Sequence, residues 1–133
     1  MRIRKAKEHD SLYKIRFYKD KDGNKPVLEY FREMAKRTDK NSRIKANKIR
    51  DYIKILKEYG TTAGEPYIKH LDGDIWELRP LRDRILFAEW TGESFLLINH
   101  FMKKTQKTPP REIEKAKRLL NEYHERSDKE NGK

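Results

Sequence analysis

Three apolar segments follow one another in the middle of the chain, separated only by short polar breaks. They are IWELRPL at residues 75–81, RILFAEW at residues 84–90 and SFLLINHF at residues 94–101. Each is rich in β-branched and aromatic residues, and each break is short enough for a hairpin. The pattern therefore predicts three sequential antiparallel strands. The second and third segments are apolar on both faces, as expected of central strands covered by helices.

A fourth strand and two helices are predicted before these three strands. Residues 13–18 alternate in polarity with the period of a half-buried strand. The turn that follows leads into a short helix whose first turn contains Pro26. Apolar residues then recur at spacings of three and four from about Asn41 or Ser42 until Gly60, which predicts a second, longer helix.

A third helix is predicted to begin at Thr108. Its apolar side consists of Ile113, Ala116, Leu120 and Tyr123. Residues 124–133 are polar, and we expect them to form a disordered tail. Together the elements predict one α+β domain over residues 1–123, in which a small antiparallel sheet of about four strands packs with two N-terminal helices and a C-terminal helix.

The positive charge of the chain is concentrated in two blocks. The chain of 133 residues has a formal charge of +11. Residues 1–21 contain eight Lys and Arg against three acids, and residues 36–57 contain nine against two. Such blocks favour a polyanionic partner, and nucleic acid is the natural candidate. The alternative is that the lysine-rich surface serves only solubility.

The composition of the chain limits the kinds of functional site and membrane segment that it can form. The chain contains no cysteine, and its histidines are too scattered to form a metal cluster; they are His9, His70, His100 and His124. No stretch of about 18 apolar residues is present, and no apolar segment follows the basic start of the chain. We therefore expect a cytoplasmic protein that uses no cofactor and does not contact a membrane.

Polar residues at the predicted strand ends are the candidate functional residues. Because side chains alternate along a strand, Glu77 and Arg79 share one face while Trp76 and Leu78 share the other. Other candidates lie at neighbouring strand ends; they are Lys69, His70, Arg82, Arg84, His100, Lys103, Lys104 and Lys107. A sheet would bring these cations to one end, where a phosphate could bind. The alternative is a functionally silent ion pair between Glu77 and Arg79.

Two motifs carry a resemblance to a known family. The segment Lys69–Arg79 ends in W-E-L-R, and the segment Phe101–Pro109 contains K-K-T-Q-K-T-P. With Arg84 between them, these segments closely resemble phage-derived HigB-type toxins of the RelE/ParE superfamily. The resemblance covers residues 13–123, and the combination of both motifs is specific although each alone is weak.

The resemblance implies the toxin of a type II toxin–antitoxin pair with a RelE-like fold. Such a toxin is a metal-independent endoribonuclease that cuts mRNA on the ribosome. Its implied partners are mRNA, the ribosome and a helix-turn-helix antitoxin of the HigA type, with which it could form a heterotetramer. By motif position, the residues that bind RNA and stabilise the transition state are Arg79, Arg84, Lys103 and Lys104. Some relatives have a catalytic tyrosine or histidine near the last helix, and here its first turns contain no tyrosine.

Metal-independent cleavage of RNA can use the ribose 2′-OH as the nucleophile. Arg79 and Arg84 suit the stabilisation of charge on the phosphorane, and Lys103 or Lys104 could donate a proton to the leaving oxygen. Glu77 or His100 could accept the proton of the 2′-OH. The remaining cations are expected to bind RNA; they are Lys69, His70, Arg82, Lys107, Lys45 and Lys48.

Two other functions fit the sequence. A toxin of the same fold could inhibit DNA gyrase without cutting RNA, as the ParE branch does, and would not need the cluster of Arg79, Arg84 and Lys103. A nucleic-acid-binding module without catalytic activity would be consistent with the charge alone. A neighbouring gene for a helix-turn-helix protein would favour the toxin hypothesis over this module.

Overall fold

The structure, a computed structural model, describes residues 12–130. Within this range the chain forms five strands and three α-helices. In chain order they are β1 (Lys14–Phe17), α1 (Pro26–Lys36), α2 (Lys40–Tyr59), β2 (Ile68–Asp72), β3 (Ile75–Leu78), β4 (Asp83–Thr91), β5 (Ser94–Met102) and α3 (Pro110–Glu130). None of the helices within residues 12–130 combines the length and apolar character that crossing a bilayer requires.

The five strands form one mixed sheet in the order β1-β5-β4-β3-β2. This confirms the predicted α+β class and the meander of β3, β4 and β5, which pair antiparallel. The expectation of about four antiparallel strands is wrong in two respects. The sheet has a further strand, β2, and β1 pairs with β5 in parallel. No hairpin joins β1 to β5, so no turn fixes their relative direction.

Local chemistry accounts for the helix boundaries. Pro26 is the first residue of α1, where its missing N–H costs nothing. Asp39 caps α2, because its Oδ2 accepts a hydrogen bond from the backbone N of Ser42 at 3.0 Å. Gly60 ends α2 with φ of 60°, a left-handed conformation that glycine adopts readily.

Helix α3 is longer than predicted. It begins at Pro110 and continues through Glu130, so the predicted disorder of residues 124–133 is wrong for residues 124–130. Residues 131–133 lie outside the described range. The ring of His124 stacks on Trp90 with centroids 4.4 Å apart, and Arg126 Nη2 donates a hydrogen bond to the carbonyl oxygen of Lys19. These polar residues therefore hold the last turns of α3 against the domain without a large apolar face.

The sheet has a hydrophobic core on each face. On one face α3 contributes Ala116, Leu120 and Tyr123, which pack on Ile75, Leu86, Ala88, Leu96 and Ile98 of the sheet. On the other face α1 and α2 contribute Val27, Ile49 and Leu56, which pack on Ile68, Leu78, Ile85, Phe87, Phe95 and Leu97. Covered faces explain why the central strands are apolar on both sides.

A β-bulge in β5 changes which face its last residues occupy. Leu86 pairs with Asn99 and Phe87 pairs with Leu97, so Ile98 has no partner across the β4–β5 ladder. Beyond this bulge, His100 pairs with Ile85 and Phe101 pairs with Arg84. His100 therefore lies on the face covered by α1 and α2, whereas Phe101 lies on the face covered by α3.

Candidate functional site

A buried carboxylate marks the centre of the candidate site. Glu77 in β3 is 2% exposed and lies on the sheet face that α3 covers. The ladder places Lys69 of β2 directly beside it on one side and Leu86 of β4 on the other. A carboxylate so far from solvent requires charged or hydrogen-bonding partners.

Three side chains supply those partners. Glu77 Oε2 lies 3.4 Å from Arg79 Nε and 3.6 Å from Arg84 Nε. The hydroxyl of Thr108 donates a hydrogen bond to Glu77 Oε1. One carboxylate therefore holds two guanidinium groups beside each other and ties them to the segment that precedes α3.

Arg84 is held in place by the tight turn before β4. It is buried, and its Nη1 donates to the carbonyl oxygens of Leu81 and Asp83, both at 2.8 Å. Leu81 has φ of 56°, in the left-handed region that two-residue hairpin loops require. Burial lowers the pKa of Arg84, and the charge of Glu77 opposes that effect. The turn and Glu77 thus fix a guanidinium that would otherwise be poorly solvated.

Arg79 is the more available of the two arginines. Its side chain is 22% exposed and forms ion pairs with Glu77 and, at 3.6 Å from Nη1 to Oε1, with the exposed Glu65. Among residues 12–130 its side chain makes no hydrogen bond, and its Nε is a buried atom without a hydrogen-bond partner. A guanidinium with unused donors can bind the oxygens of an incoming anion.

A pocket of about 230 Å³ opens above this cluster. Its charged lining consists of Glu77, Arg79, Arg84, Lys69, Lys103, Lys104 and Lys107. Within the described part of the chain, none of these four lysine side chains has a hydrogen-bond or ion-pair partner. We call this the cation pocket. With six cations and one carboxylate that is already paired, it is suited to a phosphate or polyphosphate.

Two of the predicted RNA-binding residues lie at the margins of the cation pocket. Arg82 lines an adjoining cleft, and its Nη2 donates to the carbonyl oxygen of Lys103 at 3.1 Å. His70 contributes to the pocket lining, but its ring lies edge-on to Trp76 and its Nε2 is 2.8 Å from the carbonyl oxygen of Gly73.

The structure does not bring His100 into the cation pocket. Its ring stacks on Tyr30 of α1 with centroids 4.3 Å apart, on the opposite face of the sheet from Glu77. The Tyr30 hydroxyl in turn donates to Oδ1 of the buried Asp83 at 2.7 Å. Burial holds the pKa of His100 below its usual value, although Asp83 favours its charged form. His100 is therefore placed to connect α1 to the sheet and not to contact a ligand in the pocket.

Lys45 and Lys48 lie on α2, away from the cation pocket. Lys45 Nζ is 3.3 Å from Met102 Sδ and 5.7 Å from the ring centre of Tyr30, so it reaches the end of β5. Lys48 is exposed on the same helix. Of the other basic block, residues 1–21, the structure describes only residues 12–21.

Thr108 is the functional candidate that the sequence interpretation assigned differently. Its position before Pro109 and Glu112 is typical of a helix cap, but α3 begins at Pro110 and the hydroxyl binds Glu77. The signal that could have indicated this role is the proximity of Thr108 to the lysine cluster Lys103, Lys104 and Lys107. As to other ligands, no group of three or more His, Cys, Asp or Glu side chains in residues 12–130 could hold a metal ion.

The chain matches the model of a known protein family. The model of the family described as "Phage derived protein Gp49-like (DUF891)" matches residues 29–121. This range runs from the first turn of α1 into α3, and it includes the whole lining of the cation pocket. No curated protein matches the chain.

Proposed function

Since the chain belongs to the Gp49-like family of phage-derived proteins, we propose that it is the toxin of a type II toxin–antitoxin pair. The family is toxin-like and related to the RelE/HigB toxin superfamily. The activity we propose is that of a HigB-type toxin, the cleavage of mRNA on the ribosome. Its nucleophile is the 2′-OH of the substrate itself.

One observation carries the proposal: two arginines surround Glu77 beside four lysine side chains that have no hydrogen-bond or ion-pair partner within residues 12–130. A structural ion pair needs one cation for each carboxylate, whereas six cations line the cation pocket. Their mutual repulsion disfavours such a cluster unless an anion binds to it. An RNA phosphate that becomes a phosphorane gains negative charge during the reaction, so fixed cations stabilise its transition state more than its ground state.

The partners of each side chain suggest its role. Arg79 is assigned the contact with the phosphorane, because its guanidinium makes no hydrogen bond within residues 12–130 and is partly exposed. Lys103 or Lys104 is assigned the proton transfer to the leaving oxygen. The proton of the 2′-OH passes to solvent water, because His100 lies on the other face of the sheet and both oxygens of Glu77 are engaged. Glu77 is assigned a positioning role, because Thr108 engages one of its oxygens and the two arginines engage the other. Arg84 is also assigned to the stabilisation of charge on the phosphorane, because the turn before β4 fixes the position of its guanidinium.

The proposed antitoxin is a helix-turn-helix protein of the HigA type. It would neutralise the toxin by covering the cation pocket or by placing acidic side chains in it, and a heterotetramer would let two toxins share one antitoxin dimer. Such a partner would associate at a rate that falls with ionic strength, because it is attracted to a strongly cationic surface.

Induced expression without the antitoxin tests the proposal. We expect growth arrest together with new 5′ ends inside translated mRNAs, detected by primer extension, and rescue when the adjacent helix-turn-helix gene is co-expressed. Arg79→Ala should abolish the growth arrest and the new 5′ ends. Arg32→Ala changes an exposed residue of α1, and the variant should still cause both. Arrest that is accompanied by gyrase inhibition and intact mRNA would instead support the ParE-like function.

A further inference from the structure

The turn before β4 has contacts on both faces of the sheet. Asp83, the first residue of β4, is 1% exposed, and its backbone N donates to the carbonyl oxygen of Pro80 at 3.0 Å, which closes the turn. Arg84 lies on the face that α3 covers, and its Nη1 donates to the carbonyl oxygen of Asp83 at 2.8 Å. The side chain of Asp83 points to the other face, toward α1. Asp83 therefore contacts both the guanidinium of Arg84 and helix α1.

Tyr30 of α1 is the partner of the Asp83 carboxylate. Its hydroxyl donates to Asp83 Oδ1 at 2.7 Å. If this donor were lost, the buried carboxylate would stay without a partner or move toward a new one, and both outcomes cost free energy. Burial and the neighbouring Asp83 raise the pKa of Tyr30 above its usual range, so the hydroxyl keeps its proton at physiological pH. The hydrogen bond therefore joins α1 to the first residue of β4.

Contacts from α2 and β5 fix the ring of Tyr30. The ring stacks on that of His100, with 4.3 Å between centroids and 19° between planes. Lys45 of α2 lies with its Nζ 5.7 Å from the centre of the Tyr30 ring and 3.3 Å from Sδ of Met102. Met102 is also the ladder partner of Asp83. The hydroxyl of Tyr30 is therefore directed at Asp83 by packing that involves three elements.

Arg84 lies close to the end of the β4–β5 ladder. Asp83 and Met102 form the last ladder pair at this end, and the chain turns just before Asp83, where Leu81 has φ of 56°. Ends of elements open more readily than their centres. Both carbonyl oxygens that bind Arg84 Nη1 belong to the turn and to Asp83. A shift of the turn would therefore move the guanidinium of Arg84 relative to Glu77.

We propose that Tyr30 and Asp83 are positioning residues of the cation pocket, which hold the turn before β4 from the opposite face of the sheet and thereby fix the guanidinium of Arg84. Neither residue lines the pocket, so both act through Arg84. For cleavage the inference rests on the proposed function, in which Arg84 stabilises charge on the phosphorane. A misplacement of about 1 Å can lower a rate about a hundredfold, so such support from a distance matters.

The alternative is that the hydrogen bond between Tyr30 and Asp83 contributes only to stability. The chain contains a similar bond that provides a matched control. The hydroxyl of the buried Tyr18 donates to Oε1 of Glu122, and neither of these residues lines the cation pocket. Tyr18→Phe removes a hydrogen bond of the same kind and leaves the turn before β4 unchanged.

Two measurements on the full chain separate positioning from stability. Isothermal titration calorimetry with inorganic pyrophosphate gives the affinity of the cation pocket without the ribosome, and single-turnover cleavage of ribosome-bound mRNA gives the rate of the chemical step. Tyr30→Phe keeps the ring on His100 and removes the hydroxyl. It should lower the pyrophosphate affinity and the cleavage rate at saturating ribosome by about tenfold each, with ribosome affinity unchanged. Tyr18→Phe should match the wild type in both measurements.

Substitutions of Asp83 test the same bond from its other end. Asp83→Asn keeps an oxygen that accepts from the Tyr30 hydroxyl, so most of the pyrophosphate affinity and the cleavage rate should remain. Asp83→Ala removes the acceptor and should show the defect of Tyr30→Phe. Because both changes remove one bond, the double variant of Tyr30→Phe with Asp83→Ala should be little worse than Asp83→Ala alone.

Wild-type pyrophosphate affinity and cleavage in a folded Tyr30→Phe variant would overturn the inference. Equal defects in Tyr30→Phe and Tyr18→Phe would also overturn it, because a loss of stability would then explain both. Failure of the proposed function alone would give a wild-type chain that binds pyrophosphate and does not cleave mRNA. The pyrophosphate affinities of the variants would in that case still decide whether Tyr30 and Asp83 position Arg84.

Discussion

The hydroxyl of Thr108 donates a hydrogen bond to the carboxylate of Glu77, across 31 positions of the chain. Glu77 lies in β3, next to the edge strand β2, whereas Thr108 belongs to the loop that carries three lysines of the cation pocket. The bond therefore joins the arginine side of the pocket to its lysine side. Since Glu77 also holds Arg79 and Arg84, one buried carboxylate sets the spacing of the positive charges.

Glu77→Gln should lower the free energy of unfolding by about 3–5 kcal/mol, because it leaves the buried Arg84 without its counter-charge. Chemical denaturation measures the change. Glu65→Gln is the matched control, since Glu65 pairs with Arg79 while 66% of its side chain is exposed. We expect the control to change stability by less than about 1 kcal/mol. Equal, small effects of both variants would contradict the central role of Glu77.

Thr108→Val keeps the shape of the side chain and removes its hydroxyl. The loss of a hydrogen bond to a charged acceptor should cost about 2 kcal/mol of stability, measured by the same denaturation experiment. Thr105→Val is the control, because the exposed Thr105 hydroxyl binds the carbonyl oxygen of Lys107 at 2.7 Å. In the double variant with Glu77→Gln, the two losses should be less than additive. Full additivity would show that Thr108 acts independently of Glu77.

Stability should depend on pH through His100. Burial holds the pKa of His100 in the folded chain below its usual value of 6.5, so the unfolded chain binds a proton more readily. The contribution of this group is therefore complete above about pH 6.5 and is lost as the pH falls toward the folded-state pKa. Unfolding experiments between about pH 5 and pH 7.5 should give a slope that His100→Gln reduces. An unchanged slope would contradict the burial of a neutral imidazole beside Tyr30.

The lysines of α2 should affect binding and not the chemical step. Lys45→Ala combined with Lys48→Ala should weaken ribosome binding and reduce its logarithmic salt dependence by about two. The single-turnover cleavage rate at saturating ribosome should stay unchanged, since neither side chain lines the cation pocket. Arg32→Ala with Lys36→Ala removes the same charge from α1 and serves as the control. A lower rate at saturation would place α2 in the reaction.

Most elements of the fold could be predicted because their signals are local. Pro26 and Gly60 bound helices by backbone geometry alone, and the apolar runs of β4 and β5 need no knowledge of the rest of the chain. The strand β2 was not predicted, because its residues IKHLD are mostly polar and lie at the edge of the sheet. The parallel pairing of β1 with β5 was not predicted either, because it depends on packing between segments far apart in sequence.

The positions of the candidate site residues could be predicted where side chains alternate regularly between the two faces of a strand. They could not be predicted where a bulge interrupts that alternation. Because side chains alternate along β3, the sequence correctly places Glu77 and Leu78 on opposite faces of the sheet. In β5 the bulge at Ile98 shifts the register, so His100 lies on the other face from the one that a regular strand would give. The role of Thr108 depends on a tertiary contact with Glu77, and in the sequence it is indicated only by the closeness of Thr108 to the lysine cluster of residues 103–107.

Single-turnover cleavage of ribosome-bound mRNA by Arg79→Ala tests the central claim most directly, because Arg79 is partly exposed and lines the cation pocket. We expect a loss on the order of a hundredfold in the cleavage rate with little change in ribosome affinity. Arg79→Lys should also be impaired, since it keeps the charge but loses the planar fork. Arg32→Ala should match the wild-type rate. Near wild-type cleavage by a correctly folded Arg79→Ala would contradict the assignment of the cation pocket as the catalytic site.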